Sequence, residues 1–453
     1  MAPPVRVQVR PGTYHDSIVL MLASARMLEA EGVDAAMAAM ATPLNLDLLR
    51  EAELWDVRIE GAGPGDLVLA ARGPGAEAGV QAAERALAER PEPAGTGAGA
   101  GAGPPARTVR SGAGRLRGAN LAVISVPGEH AAWACWDALQ AGLNVFCFSD
   151  NVAVEHEVQL KDEALRRGLL MLGPDCGTAI LDGVGLGFWN EAPRGRVGLV
   201  GASGTGLQQV CCLLAHQGVG VSQAIGVGGR DLSPEVGGRM TREAIRRLEE
   251  DDDTEVVVVV SKPASAELSS RKPLVRAVLG PGVDLTEVAV RVGGGSLPPD
   301  PEPLAWTGPV DGIFAGGTLR DEAALAWRDD PDPGRFRAVD YGAAEHTRGR
   351  PHPMIDHRLR LDAVRRAHGL VYLDVVLGHG AHPDPAAELA PALAGRPAIV
   401  VLIGTEADPQ GLSRQRAAFE AAGARVFLSN SRAARSLVRQ GGRAAGQGAP
   451  PWR

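Results

Sequence analysis

Two short turns rich in glycine and hydroxyl residues have the composition of anion-binding sites. Each lies between an apolar run that predicts a strand and a pattern that predicts a helix, within the segments GLVGASGTGLQQV and GIFAGGTLRDEA. Backbone N–H groups and the helix dipole favour an anion at such a helix start, and hydroxyl groups can donate further hydrogen bonds. We therefore predict phosphate or carboxylate binding at six residues: Ser203, Gly204, Thr205, Gly316, Gly317 and Thr318.

The alternative for either turn alone is a helix cap formed by its serine or threonine. The recurrence of the turn favours a shared role instead. If the two domains that contain the turns pack face to face, both helix starts would lie at one oxyanion, and their dipoles would reinforce each other. A convergence of Thr205 and Thr318 is therefore the central structural hypothesis.

A third turn of the same kind lies near the amino terminus, in RPGTYHDS. Gly12, Thr13 and Tyr14 would offer N–H groups and a side chain to a phosphate, with Ser17 in the first helical turn. The alternative is helix capping by Thr13 or by the aspartate that follows His15.

Two histidines follow a strand-like run in DVVLGHGAHPDPAAEL, and both are candidates for acid–base catalysis, anion binding or phosphoryl relay. They are His379 and His382, and the alternative is that they only hydrogen-bond to backbone or water. Asp384 and Glu388 are expected to cap and solvate the next helix. A second histidine-containing stretch, EHTRGRPHPMIDHR, matches no standard ligand spacing, so no metal site is predicted.

The composition limits the classes of partner. A formal charge of −8 and a pI near 5.8 argue against binding to nucleic acid or to an anionic membrane. Apolar runs are too short to span a membrane, the start lacks the apolar region of a signal peptide, and the five cysteines form no Cys-x-x-Cys pair. We therefore predict a cytoplasmic protein that acts on a small-molecule substrate.

The order of strand-like and helical segments predicts an α/β protein with doubly wound parallel sheets. At 453 residues the chain is too long for one core. We predict a nucleotide-binding-type domain over residues 1–191, with a flexible Gly/Ala-rich insertion at about 91–106. Two further domains follow at 195–300 and 305–440, and residues 441–453 are expected to form a disordered tail.

Several of these segments, in this order, resemble the succinyl-CoA synthetase (acid-thiol ligase) superfamily, and most closely its FdrA family. GTYHDS resembles the turn at the CoA site, and VISVPGEHAAWACWDALQAGL and MLGPDCGTAI resemble consecutive stretches of the α subunit. GLVGASGTGLQQV resembles the start of the α-subunit ligase domain, and the third domain resembles the β-subunit ligase domain. The resemblance covers nearly the whole chain.

This resemblance implies a Rossmann-like CoA-binding domain followed by two flavodoxin-like ligase domains, whose glycine-rich helix starts face each other. It also implies CoA as a cofactor. The matching positions are Gly12, Thr13, Tyr14, Ser125, Pro127, Ser149 and Pro174.

The chain departs from the superfamily in the machinery that uses a nucleotide. The family forms a phosphohistidine late in the α-type ligase domain, where this sequence, KPLVRAVLGPGVDLTEVAVRVGGG, has no histidine. An ATP-grasp domain is not recognisable either, and the glycines upstream of the CoA turn are replaced by VQVR.

Three functions therefore stay open. The first is an acyl-CoA synthetase-like protein that binds CoA and a phosphate or acyl phosphate. The second, also implied by the FdrA resemblance, is a subunit of an oxamate carbamoyltransferase that converts oxalurate and phosphate to oxamate and carbamoyl phosphate. The third is a non-catalytic regulatory subunit. The resemblance also implies separate partner subunits in a homo- or hetero-oligomer.

Overall fold

The chain folds into two compact units, described here from a computed structural model. The model describes residues 4–15, 17–88, 106–264, 266–280, 282–347 and 350–439. The first unit comprises Met1–Pro105 with Arg348–Pro351, and the second comprises Ala106–Thr347 with His352–Arg453. The predicted insertion, except for Ala106, and the predicted tail lie outside the described residues. Among the described residues, no helix has both the length and the apolar character needed to cross a membrane.

The first unit contains a three-stranded antiparallel sheet in the order β1-β3-β2. Its strands are β1 (Val5–Arg10), β2 (Ala35–Met40) and β3 (Leu67–Arg72). Its helices are α1 (Ser17–Leu28), α2 (Pro43–Glu51) and α3 (Ala76–Ala88), with a 3₁₀ turn at Val57–Ile59. Strand β3 pairs along its full length with both neighbours, and buried alanines and leucines of the sheet pack on α1 and α3.

The prediction of one Rossmann-like domain over residues 1–191 is wrong for these three strands. They pair antiparallel with each other and form a unit of their own. Alternating strands and helices occur in parallel and in some antiparallel sheets, and the direction of pairing depends on contacts between residues distant in the sequence. The order of strands and helices was predicted correctly, but that order does not specify whether neighbouring strands pair parallel or antiparallel.

The second unit begins with a small parallel sheet in the order β4-β5-β6. Its elements are α4 (Val109–Arg115), β4 (Leu121–Ile124), α5 (Gly128–Gln140), β5 (Asn144–Cys147), α6 (Val154–Arg167) and β6 (Met171–Leu172). All of its strand pairs are parallel, as the sequence predicts for this part of the chain.

A β-hairpin follows and extends the next sheet. Strands β7 (Thr178–Leu181) and β8 (Val184–Gly187) are joined by Asp182 and Gly183, which both have positive φ, as a type I′ turn requires. Strand β7 pairs with a strand of the middle sheet. The hairpin therefore precedes the predicted boundary at residue 191 but belongs to the middle sheet, and its Asp-Gly dipeptide is a sequence signal for the turn.

The middle sheet has the order β12-β11-β9-β10-β7-β8, and its first four strands in this order form three parallel pairs. The new strands are β9 (Arg194–Gly201), β10 (Val221–Gly226), β11 (Val256–Ser261) and β12 (Leu274–Val278). The helices are α7 (Gly204–Ala215), α8 (Arg239–Glu250) and α9 (Leu285–Gly293). Strand β11 is buried along its whole length, as expected for a parallel strand covered by helices on both faces.

The third sheet is entirely parallel, in the order β14-β13-β15-β16-β17. Its strands are β13 (Val310–Phe314), β14 (Phe336–Asp340), β15 (Leu370–Val376), β16 (Ala398–Ile403) and β17 (Arg425–Phe427). Its helices are α10 (Gly317–Trp327), α11 (Ala344–Thr347), α12 (Arg358–Arg366), α13 (Pro385–Leu393), α14 (Leu412–Ala421) and α15 (Asn430–Ser436), with a 3₁₀ turn at Pro333–Arg335.

Among the parallel strands of each larger sheet, the first in sequence lies between the second and the third: β9 lies between β10 and β11, and β13 lies between β14 and β15. This is the flavodoxin-like order, in which the chain reverses direction beside the first strand and leaves a crevice at the carboxyl ends of the strands. The crevice lies between β9 and β11 in the middle sheet and between β13 and β15 in the third sheet. The two glycine-rich turns follow β9 and β13, so both begin at these crevices.

A buried lysine ties α6 to the loop that follows β10. The Nζ of Lys161 donates hydrogen bonds to Glu157 Oε1 at 2.7 Å, to Asp231 Oδ1 at 2.7 Å and to the Val227 carbonyl at 3.0 Å. The side chains of Lys161 and Asp231 are fully buried. Asp231 also accepts the N–H group of Thr241, so the same carboxylate holds the start of α8.

We expect Lys161→Met to lower the free energy of unfolding by about 3–5 kcal/mol, because it leaves the buried carboxylate of Asp231 without its cation and leaves that of Glu157 with Arg230 alone. The matched control is Arg166→Ala, which removes an exposed arginine from Glu163, a carboxylate that keeps its ion pair with Arg167, and should cost less than about 1 kcal/mol. Urea unfolding followed by far-ultraviolet circular dichroism measures both. Equal midpoints for the two variants would show that the network does not hold this part of the fold.

Candidate functional site

The first glycine-rich turn begins helix α7. Ser203 is the N-cap, and its Oγ accepts the N–H group of Gly206 at 3.0 Å. A Cβ on Gly206 would lie 2.6 Å from Ser203 Oγ, and one on Gly201 would lie 2.3 Å from a carbon of Leu207. Glycine is therefore required where strand, turn and helix approach each other. Ser203 does cap the helix, but the N–H groups of Gly204 and Thr205, which precede Gly206 in the first turn, have no acceptor within the helix.

The start of α10 lies directly against the start of α7. Thr318 Oγ1 is 2.6 Å from Ser203 Oγ, and both residues are buried. A Cβ on Gly316 would lie 2.5 Å from Thr205 Oγ1, so only a glycine lets the threonine come so close. The two helix starts therefore converge, as the central hypothesis requires. The binding of an anion by Ser203, Gly204, Thr205, Gly316, Gly317 and Thr318 stays a prediction.

A buried carboxylate on β15 fixes the turn before α10. Asp374 accepts the N–H groups of Ala315 at 2.7 Å and Gly316 at 3.2 Å. Burial raises the pKa of Asp374 to about 6, although Arg360, at 3.0 Å, opposes the shift. Asp374 thus satisfies the N–H groups that precede the helix, and leaves those of the first helical turn for another acceptor.

Lys262 adds a cation beside the two helix starts. It follows the carboxyl end of β11, and its Nζ lies 2.8 Å from the position that a Cβ on Gly317 would occupy. Its ion pair with Asp321 is long, at 3.8 Å, and its side chain is 46% exposed. Of the chain's other two lysines, Lys161 is buried and Lys272 donates to backbone carbonyls. The sequence analysis missed Lys262, although its place after the apolar run VVVVV at a strand end was a signal.

An acid lies next to this lysine, and a neutral histidine lies next to the acid. Asp340 Oδ2 is 2.6 Å from the same Cβ position on Gly317, and burial raises the pKa of Asp340 while the N–H group of Gly342 lowers it. His352 Nε2 lies 2.8 Å from the position that a Cβ on Gly342 would occupy. Neither residue was singled out as a site residue by the sequence analysis, because they are separated from the turns in sequence.

His352 is arranged as a hydrogen-bond donor. Its Nδ1 accepts the N–H group of Met354 at 3.3 Å, which assigns the proton of the neutral ring to Nε2. Burial lowers the pKa of His352 to about 4, and the nearby charge of Arg360 acts in the same direction. The ring is therefore neutral at pH 7, and its Nε2–H group points towards the same glycine as the carboxylate of Asp340.

His379, a predicted catalytic residue, is held by an aromatic ring and a carboxylate. Its imidazole stacks on Trp189 with ring centroids 4.2 Å apart, and its Nε2 lies 3.0 Å from Glu191 Oε1. Between these two residues, Asn190 accepts a hydrogen bond from Gln208 in the second turn of α7, at 2.9 Å. His379 is thus tied to the same helix as the first glycine-rich turn, and its role in catalysis stays a prediction.

His382, the second predicted catalytic residue, lies in a separate cluster. Glu388 Oε1 is 3.2 Å from His382 Nε2, and Glu388 Oε2 is 3.2 Å from His357 Nδ1. The expectation for Asp384 is confirmed, because it caps α13 by accepting the N–H group of Ala387. Glu388 lies in the first turn of the same helix, as expected, and both of its oxygens also contact histidines.

The residues that the resemblance assigns to CoA fall into both units. Ser125, Pro127, Ser149 and Pro174 belong to the second unit and follow the carboxyl ends of β4, β5 and β6. Ser149 Oγ donates to the Val126 carbonyl at 2.6 Å and accepts the Val126 N–H group at 3.0 Å. This serine therefore joins two neighbouring turns at the edge where a Rossmann-like sheet binds its ligand.

The amino-terminal residues of the predicted CoA site belong to the first unit. Gly12 has φ +63°, and its N–H group donates to Asp66 Oδ1 at 2.8 Å. The hydroxyl group of Thr13 donates to the Pro11 carbonyl at 3.3 Å, and Tyr14 is exposed. The Gly12 N–H group, which the sequence analysis assigned to a phosphate, is thus already used by a carboxylate.

Buried polar side chains join the helices behind the converging turns. Glu322 of α10 accepts hydrogen bonds from Gln209 Nε2 at 3.3 Å, Asn430 Nδ2 at 2.8 Å and the N–H group of Leu285 at 3.0 Å. Tyr372 in turn donates to Asn430. One carboxylate therefore links α7, α9, α10 and α15.

Three stretches of the chain match known family models. Residues 1–103 match the model described as AllF, heavy metal-associated domain, residues 193–277 match the CoA binding domain, and residues 313–438 match CoA-ligase. The second match covers the middle sheet, which the resemblance had assigned to an α-type ligase domain. The first stretch contains no cysteine, since the first cysteine of the chain is Cys135.

Searches with the whole chain find relatives with similar domains. YahF of Escherichia coli, described as uncharacterized, is 35% identical over 94% of this chain and 96% of its own length. The succinate–CoA ligase [ADP-forming] α subunit of Aquifex aeolicus is 31% identical over 33% of this chain, which spans half of that subunit. The solved dinucleotide-forming acetyl-coenzyme A synthetase 1 of Ca. Korarchaeum cryptofilum is 13% identical over 73% of this chain and 83% of its own, with a TM-score of 0.31.

The doubly wound sheets, their facing helix starts and the CoA-binding and CoA-ligase family domains define an acid-thiol-ligase-like protein. The chain belongs to the FdrA-like family that includes YahF, within the succinyl-CoA synthetase superfamily.

We expect Glu322 to make stability fall as the pH rises from about 4.5 to about 7. Burial, reinforced by the charge of Asp284, raises the pKa of Glu322 from 4.5 to about 7. The folded chain therefore holds this proton more tightly than the unfolded chain, so the free energy of unfolding decreases across that window and levels off above it. The contribution amounts to about 3 kcal/mol at neutral pH.

Urea unfolding at pH 5 and at pH 7.5 tests this effect with Glu322→Gln. The variant should lose less stability than the parent between the two pH values, whatever its absolute stability. Glu129→Gln, on the exposed face of α5, is the control and should follow the parent. If the parent and Glu322→Gln change equally with pH, Glu322 titrates as it does in the unfolded chain.

Proposed function

We propose that this chain is an acyl-CoA synthetase-like enzyme that binds CoA and holds a phosphate or acyl phosphate between the starts of α7 and α10. The observation that carries the proposal is the direct contact of Ser203 and Thr318 at 2.6 Å, with Lys262 beside it. The CoA-binding and CoA-ligase family matches, and the succinate–CoA ligase named among the relatives, support the same class of substrate.

The electrostatics of the contact favour an anion. Each helix start has a partial positive charge of roughly half an elementary charge, and two such ends in contact repel each other unless a negative group lies between them. Lys262 increases the positive charge further. Ser203 and Thr318 share one hydrogen bond, so one of their two hydroxyl protons is left to donate to a ligand.

The chemistry that fits this site is acyl transfer to a thiolate. The CoA sulfur would bond to the acyl carbon of an acyl phosphate while the bond from that carbon to the phosphate oxygen breaks, and the electron pair would leave with inorganic phosphate. Preorganised N–H groups and a cation stabilise the leaving phosphate without having to reorganise. Asp340 and the neutral His352 are the nearest groups that could exchange a proton with it.

Carbamoyl phosphate is the second candidate ligand, and the distribution of histidines supports it. The chain has no histidine between His216 and His346, so the region that forms a phosphohistidine in the family has none here. Phosphate would then react directly with a bound acyl or carbamoyl group rather than through a phosphorylated histidine. In that case the chain would serve as a subunit of an oxamate carbamoyltransferase, together with separate partner subunits.

We expect Lys262→Met to weaken binding of phosphate or carbamoyl phosphate at least roughly tenfold, since it removes a charged partner of the anion. Isothermal titration of the full chain with phosphate, acetyl phosphate, carbamoyl phosphate and CoA measures this. Arg271→Met is the control, because it removes a charge from an exposed position in the same domain. CoA affinity should change less than phosphate affinity.

Gly317→Ala provides an independent variant of the same site. The new Cβ would lie within 3 Å of Lys262 Nζ and Asp340 Oδ2, which are the ends of flexible side chains, so the fold should survive while the anion space is filled. Gly114→Ala, where nothing lies within 4 Å of the new Cβ, is the matched control. If no ligand of the panel binds the parent, the proposed site is wrong. It is also wrong if, in both pairs, the site variant binds phosphate as tightly as its control variant does.

A further inference from the structure

Three metal-ligating side chains from separate elements meet beyond the carboxyl end of β15, the central strand of the third sheet. His357 precedes α12, His382 lies in the loop after β15, and Glu388 lies in the first turn of α13. We call these three residues the His–His–Glu cluster. One ligand atom from each residue lies within 4.8 Å of the other two.

The distances within the cluster suit a small cation. Each oxygen of Glu388 is 3.2 Å from the nitrogen of a different histidine, His382 Nε2 on one side and His357 Nδ1 on the other. Ligand atoms bonded at about 2.0–2.1 Å to one tetrahedral ion are separated by roughly 3.3 Å. The cluster therefore needs only a small movement of its side chains to hold an ion.

Burial is graded across the cluster. The side chain of His357 is 3% exposed, that of His382 is 19% exposed and that of Glu388 is 44% exposed. The inner ligand is thus fixed by packing, and the outer one leaves a path by which an ion can enter. Arg360, one helical turn after His357, is paired with Asp374 at 3.0 Å, so its positive charge is compensated.

From this geometry we propose that the His–His–Glu cluster binds one divalent transition-metal ion, such as Zn²⁺, Co²⁺ or Ni²⁺. Two imidazoles and one carboxylate form a donor set of nitrogen and oxygen that suits these ions, whereas Mg²⁺ and Ca²⁺ prefer oxygen ligands alone. Three protein ligands leave a fourth position for water or for a small molecule. The site is distinct from the converging helix starts and does not depend on the proposed function.

One contact of the metal-free cluster must change on binding. His382 Nδ1 accepts the N–H group of Asp384 at 3.1 Å, which places the proton of the neutral ring on Nε2. A metal ion bound at Nε2 moves that proton to Nδ1, so the N–H group of Asp384 must turn away. Binding is therefore expected to weaken as the pH falls and the imidazole takes up a second proton.

The spacing of the ligands explains why the sequence predicts no metal site. His357 and His382 are 25 positions apart, and Glu388 follows six positions later, which is not the spacing of a short metal motif. Only the folding of β15 and α13 against the start of α12 brings the three side chains together.

The proposal is tested by titrating the chelator-treated full chain, without affinity tag, with Zn²⁺ in competition with a chromophoric chelator at pH 7.5. We expect one equivalent to bind with micromolar or tighter affinity. Co²⁺ should give visible absorption bands of a four-coordinate site, and Mg²⁺ should not compete. Failure to reach saturation at one equivalent would overturn the proposal.

Variants identify the ligands. His382→Ala and Glu388→Gln should each weaken Zn²⁺ binding at least tenfold and remove the Co²⁺ bands, and His368→Ala, at an exposed histidine of the same sheet, should keep both. Circular dichroism checks the fold, and Glu388→Gln keeps the side-chain shape should His382→Ala prove unstable. Binding by Glu388→Gln that equals the parent's would show that the ion lies elsewhere and would overturn the proposal.

Discussion

The contact between two positive helix ends is the constraint on which the second unit depends. Helix dipoles oppose such a contact, and side chains larger than hydrogen at Gly206 or Gly316 would prevent it. The contact forms because Ser203 and Thr318 hydrogen-bond across it, and because glycines allow the backbones to approach. A negatively charged ligand would remove the remaining repulsion. The contact between the helix ends therefore lowers the stability of the fold and, for the same reason, attracts an anion to the proposed site.

Buried polar groups hold the middle and third sheets in the geometry that this contact needs. Glu322 joins helices of both sheets, and Asp408, after β16, accepts Asn190 Nδ2 at 2.8 Å from the segment that enters β9. These bonds are directional and lie inside the protein, where leaving one of their groups unpaired is costly. They specify a relative position of the sheets that apolar packing alone would leave less well defined.

The candidate site could be predicted from the sequence where chemistry is local. The six residues of the glycine-rich turns were predicted because a strand, a small-residue turn and a helix follow one another within a dozen positions. Lys262, Asp340 and His352 were not predicted, because none of them belongs to a recognisable motif in its own segment. The fold brings Lys262 and Asp340 to Gly317, and His352 to Gly342. His382 was predicted as a catalytic residue, but its neighbour His357 comes from another element.

The amino-acid sequence by itself determined the α/β class, the doubly wound parallel sheets of the last two domains and the residues that begin α7 and α10. These features depend on periodicity and on turn chemistry within short segments. Only the tertiary structure decided that the first three strands pair antiparallel, that the hairpin β7–β8 joins the middle sheet, and that the two helix starts touch. The physical reason is that pairing direction and domain contact are set by packing between residues far apart in the chain, which no local pattern records.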